Sequence, residues 1–151
     1  MLDQGHHENR VLETIASLPC GVVLPDFLRD DFERRGLAAT GRDESRRYPR
    51  YHVRGHAYRA AIRYCQSLPA LARPPAVAGV LTTTISRGGV GFLHSEQMFP
   101  QEQAQLVLAN GAGRMIQVSW CRRLGPRCFE VGARFLEDLS LPEVRTILAE
   151  D

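Results

Sequence analysis

Two stretches of this chain carry residue types that grip a phosphate. RRYPRYHVR, at 46 to 54, is an arginine fork running into a predicted strand, and TISRGGVG, at 84 to 91, is a small-polar turn with a glycine pair that enters another. A guanidinium holds five donors in a planar fork and keeps its charge. It therefore takes a phosphate, or the O6/N7 edge of a guanine, through two parallel hydrogen bonds, and it stacks on the ring. A β-fold that brings the stretches together places guanidinium groups on one side of a site and backbone N–H and hydroxyl groups on the other. That combination suits a ligand carrying both phosphates and hydrogen-bonding bases.

Other chemistries find less support. Gly88, Gly89 and Gly91 do not make a dinucleotide fingerprint, because no GxGxxG turn here leads from a strand into a helix. His52 and His56 share a face if both lie on a strand, but they stand far apart there and have no third ligand, so no metal is expected. Cys20, Cys65, Cys121 and Cys128 form no CxxC pair and read as reduced, small core residues. Trp120 falls inside a predicted strand and reads as a core or barrel-wall aromatic. Ser86 is the best-placed hydroxyl, yet no histidine is identifiable as its base, so no catalytic residue is assigned and the chain is not expected to be an enzyme.

The two stretches, in this order, resemble the motifs of the PilZ family, small bacterial β-barrel domains that sense cyclic di-GMP. Arg46 and Arg50 fill the family's RxxxR pattern, with Arg47 doubling the first arginine. Thr84, Ser86 and Gly89 occupy its (D/N)xSxxG pattern, with Thr84 in place of Asp or Asn, and EVGARFLEDLS at 130 to 140 is similar to its last strand and exit turn. The resemblance implies a six-stranded antiparallel barrel that needs no cofactor and takes cyclic di-GMP as its ligand. Arg46, Arg47 and Arg50 are implied to wrap that ligand from a flexible approach segment. Thr84 and Ser86 are implied to contact a guanine or phosphate, and Gly89 to let the backbone come close. Thr84 keeps one hydroxyl but lacks a carboxylate that pairs with guanine N1–H and N2–H.

Hydrophobic pattern sets the secondary structure around these residues. Residues 8 to 18 and 25 to 37 have apolar residues at helical spacing, and 38 to 45 reads as a small-polar linker. From 51 onward the texture turns to strands: runs at 51–65, 76–86, 90–95, 104–109, 114–121 and 128–136, with 66–75 a proline-bearing loop and 110–113 and 122–127 turns. Ser140 and Glu143 form a capping box ahead of a helix over 141–149. The expected architecture is mainly β: a helical extension and linker at 1–45, then a PilZ-like barrel with a C-terminal helix at 46–151.

Bulk properties set the boundaries. The chain has 151 residues, 44% of them hydrophobic and 24% charged, ordinary values for one globular domain with an extension. No apolar run is long enough for a membrane span, and the polar first ten residues do not read as a secretory signal, so a cytoplasmic location is expected. The net charge of +2 divides into −4 over 1–45 (five Arg, nine Asp or Glu) and +6 over 46–151 (fourteen Arg, eight Asp or Glu). All 19 basic residues are arginine. The expected mechanism is order from disorder: ligand phosphates neutralise the fork, the 38 to 50 segment folds over the barrel, and the acidic extension moves with it to engage a protein effector. Two other readings stand beside it. One is a barrel of the same kind that binds protein only. The other is a small basic barrel that binds RNA or single-stranded DNA through Tyr48, Tyr51, Tyr58 and Tyr64, although nucleic acid is not the expected partner.

Overall fold

The computed structural model of the chain describes residues 14, 15, 17–29, 48–53 and 59–148. The fold is mainly β. Among the described residues, seven strands run in chain order as β1 (Tyr51–His52), β2 (Arg59–Tyr64), β3 (Val77–Ile85), β4 (Gly89–His94), β5 (Gln103–Val107), β6 (Gly113–Gly125) and β7 (Cys128–Phe135), followed by a helix, Leu141–Leu148. All pairings are antiparallel. Six strands close a barrel in the order β3-β2-β5-β6-β7-β4, with β4 returning to β3, and β1 is an extra strand on β3. Closure leaves the barrel's own strands with no unpaired edge.

β1 and β2 lie along the same edge of β3. His52 pairs with Thr84 and Arg59 with Leu81, so β1 and β2 take successive stretches of that edge.

Alternation sorts the side chains. Ala60, Ile62, Val80, Phe92, Leu106, Ile116, Val118, Val131 and Phe135 point inward and are buried. Leu139, Val144 and Ile147 bring the C-terminal helix onto the same core. That helix starts as expected: the Glu143 N–H donates to Ser140 Oγ (3.2 Å) and the Ser140 N–H donates to Glu143 Oε1 (3.1 Å), a reciprocal cap. The second predicted turn is shorter than 122–127. β6 continues through Gly125 and the turn is only Pro126–Arg127, because Arg122 faces outward and pairs across the hairpin with Glu130.

A second, smaller apolar cluster lies outside the barrel wall. Leu81, Leu93 and Cys128 face outward and are covered by Cys20, Val22, Leu24 and Leu28. Residues 18–29 thus form a strap across the barrel. It is fixed by main-chain bonds from Gly79 N–H to Pro19 O (2.8 Å) and from Val23 N–H to Arg127 O (3.0 Å). Within the two expected N-terminal helices, residues 14, 15, 17 and 26–29 are helical, and their other residues lie outside the described part. All four cysteines are free, and Cys121 and Cys128 belong to different apolar clusters. No helix among the described residues is long and apolar enough to cross a membrane.

Candidate functional site

The site begins with two β-bulges. In β3, Thr82 pairs with Phe92 and Thr84 with Gly91, so Thr83 is an extra residue. In β6, Val118 pairs with Ala133 and Trp120 with Gly132, so Ser119 is extra. An inserted residue reverses the inward–outward phase of a strand. Thr82 and Val118 are buried, and two residues on, where unbroken alternation would again point inward, Thr84 and Trp120 instead face out. The two bulges fall on the same row. Thr84, Gly91, Gly132 and Trp120 stand side by side across β3, β4, β7 and β6.

The two central glycines make a dent in the barrel wall, and the outer two side chains lean into it. A Cβ on Gly91 would stand 2.6 Å from Thr84 Oγ1, and a Cβ on Gly132 would overlap the indole of Trp120. Trp120 therefore lies flat across a strand backbone, with 40% of its surface exposed.

The neighbouring outward rows supply charge. Toward the β3–β4 turn, Gly89, Arg134 and Gln117 line up, and the Arg134 guanidinium donates to Gln117 Oε1. On the other side the row is Leu81, Leu93, Glu130 and Arg122. Along β7 the outer face thus reads Glu130, Gly132, Arg134, with successive side chains roughly 7 Å apart. Trp120 covers the middle position between a carboxylate and a guanidinium.

Two contiguous cavities open over this surface. One, of about 300 Å³, is lined by Tyr48, Arg50, Ser86, Gly89, Ser119 and Arg134 together with the whole glycine row. The other, of about 320 Å³, is lined by Leu28 of the strap, Val53, Thr83, Leu93, Arg122 and Glu130. Both share Arg50, Thr84, Gly91 and Trp120. Each volume alone reaches the lower end of the range for small-molecule pockets.

Arg50 reaches the cavities because its segment is docked. Tyr48 Oη donates to Asp138 Oδ2 (3.2 Å), the Arg87 guanidinium lies 4.7 Å over the Tyr48 ring, and Gly88 is small enough for that ring to lie against it. The approach segment is therefore held in place from Tyr48 onward, and Arg46 and Arg47 lie outside the described residues. Arg50, Thr84, Ser86 and Gly89 are brought together on one cavity.

Ser86 shapes the turn between β3 and β4. Its Oγ accepts the N–H of Gly88 (3.3 Å) and of Gly89 (3.0 Å) and donates to Gly89 O (3.4 Å). Its hydrogen-bonding capacity is taken up in shaping the turn. A Cβ on Gly89 would meet Ala133 O at 2.8 Å, so this glycine allows a close approach of β4 to β7.

Trp120, Arg134, Gly91, Gly132, Arg122 and Glu130 were not expected at the site. The alternation of RMIQVSWC places Trp120 on the same face as Val118, and only the bulge at Ser119 moves it outside.

A second polar cluster lies inside the barrel, away from these cavities. Tyr64 Oη meets His94 Nε2 and lies 3.2 Å from Glu96 Oε2. Arg73 stacks 4.6 Å over the Tyr64 ring and forks onto the buried Glu102 (2.7 and 2.8 Å). Burial, aided by Arg73, pushes His94 down to about 4, and burial together with Glu96 pushes the Tyr64 phenol up. A neutral imidazole and a neutral phenol thus sit under an ion pair that pins the 66–75 loop to the barrel. Among the described residues, no group of three or more His, Cys, Asp or Glu is placed to hold a metal ion.

No protein-family model matches the chain, and neither a curated protein nor a solved structure matches it.

Proposed function

We propose that this chain is a non-catalytic receptor for cyclic di-GMP, of the PilZ type that its motifs resemble, and that it relays binding to a protein partner. The observation that carries the reading is the paired cavity over Thr84, Gly91, Gly132 and Trp120, with Arg50 shared by both halves. Cyclic di-GMP folds two phosphates and two guanines into one compact ring. Arg50 and Arg134 supply fixed positive charge for the phosphates in a cavity that no carboxylate lines among the described residues. Trp120 offers an exposed aromatic face for a base, an interaction worth about 1–3 kcal/mol. The Gly88 and Gly89 turn keeps the wall low beside it. The strap provides the route to a partner: Leu28 lines the second cavity and belongs to the segment that covers Leu81 and Leu93, so a ligand filling that cavity presses on the strap.

An exposed tryptophan between arginines also suits a single-stranded oligonucleotide. The cavities favour a compact ligand over an extended strand. Trp120 is the sole tryptophan of the chain and reports the test directly. Titration with cyclic di-GMP should change its emission and saturate in the micromolar range, about −8 kcal/mol. An oligonucleotide of mixed sequence should give a weak response that vanishes with salt. No change in fluorescence and no calorimetric heat with cyclic di-GMP would leave the protein-only barrel standing instead.

A further inference from the structure

We propose that Glu130 is the specificity-determining residue of the second cavity, reading the Watson–Crick edge of a guanine seated between Leu28, Trp120 and Arg122. The inference rests on the cyclic di-GMP reading above and concerns the half of the site that Leu28, Arg122 and Glu130 line.

Glu130 is the only carboxylate lining either cavity among the described residues. It faces out on β7 next to Gly132, and so stands beside the indole that covers Gly132. Its ion pair with Arg122 leaves capacity free. One guanidinium nitrogen reaches both carboxylate oxygens at 3.3 Å, and the Glu130 side chain keeps 26% of its surface exposed. A carboxylate offers about four acceptor positions, and Arg122 fills two of them at long range. Arg122 also offsets the negative charge that Glu130 would present to an anionic ligand.

A guanine carries two adjacent donors, N1–H and N2–H, that match two carboxylate oxygens. Adenine presents N6–H beside an unprotonated N1, whose lone pair would oppose the second oxygen. Leu28 and Leu93 give the cavity an apolar side, and Trp120 gives it a flat one, as a purine requires. Besides Glu130, the side chains lining the cavity that can accept a hydrogen bond are those of Thr83 and Thr84 among the described residues, and a hydroxyl cannot accept two donors in this parallel arrangement as well as a carboxylate does.

The test compares cyclic di-GMP with cyclic di-AMP on the full chain and on Glu130→Gln, each followed by Trp120 fluorescence and by calorimetry. A glutamine amide keeps the shape but offers one acceptor and one donor, the pattern adenine wants. The wild-type chain should prefer the guanine ligand. In Glu130→Gln, cyclic di-GMP should weaken about tenfold to a hundredfold, as for a lost charge-assisted bond, while cyclic di-AMP holds or tightens. An unchanged preference, or equal weakening of both ligands, overturns the inference and leaves the receptor reading intact. Failure of the wild-type chain to bind cyclic di-GMP overturns both.

Discussion

The indole of Trp120 occupies the space where a side chain on Gly132 would begin. The two residues are register partners across β6 and β7, so the pairing that closes this part of the barrel also sets the floor of the cavities. Gly132→Ala should therefore act through Trp120. The added methyl group forces the ring off the strand and into solvent, and Trp120 emission should move to the red. Loss of a base–aromatic contact predicts a fall in cyclic di-GMP affinity of about 1–3 kcal/mol. Unaltered emission and affinity would show that the ring does not depend on the glycine.

Arg50 and Arg63 separate local chemistry from bulk charge. Arg50 lines both cavities, whereas Arg63 points outward from β2, a strand that does not border them. Arg50→Ala should cost cyclic di-GMP binding about 2 kcal/mol, and Arg63→Ala no more than a few tenths. Isothermal calorimetry on both variants decides. Equal losses would mean that net charge, not the position of Arg50, draws the ligand.

His94 predicts how stability depends on acid. Its imidazole titrates near 6.5 when unfolded and is held down to about 4 in the barrel, chiefly by burial. Above pH 6.5 both forms are neutral and the full stability is present. Between 6.5 and 4 the unfolded chain takes up a proton that the folded chain refuses, so stability falls by roughly 3 kcal/mol across that window and no further below it. Urea midpoints at pH 7.5 and 4.5 should diverge more for the wild-type chain than for His94→Gln, which cannot titrate. The same divergence in both would assign the acid sensitivity to the carboxylates.

Ser140 tests the end of the fold. Its hydroxyl accepts the Glu143 N–H, and hydrogen bonds at Ser140 are the leading cause that holds the Glu143 carboxyl below its usual range, with Arg114 adding to it. Ser140→Ala should destabilise the protein by about 1 kcal/mol, measured in urea, without changing ligand affinity.

The sequence made the strands legible because inward Val, Ile, Leu and Phe alternate with outward polar residues in β2, β5 and β7, and because Ser140 and Glu143 spell a helix start. It also placed Arg50, Thr84, Ser86 and Gly89 at one locus. The rest was hidden by insertions of single residues. Thr83 and Ser119 look like ordinary strand positions, yet each reverses the phase of the residues after it, and a pattern of period two gives no sign of where its phase changes. The strap was hidden for another reason. Leu81 and Leu93 face outward, and only tertiary contact with Val22, Leu24 and Leu28 explains why apolar residues stand there. Glu130 and Gly132 read as part of a final strand, and nothing local marks them as neighbours of Trp120.

The short attachment of β1 to β3 bears on how the molecule can come apart. β1 is joined to β3 through Tyr51, His52 and the bond from Val53 N–H to Thr83 O, whereas β2 makes five register pairs with β3 and seals the cylinder without help from β1. Peeling β1 away would carry Arg50 out of both cavities and leave the cylinder shut. Parting at β1 is therefore not a fault in the barrel's closure. It detaches one arm of the site while the wall that bears the other arms stays whole.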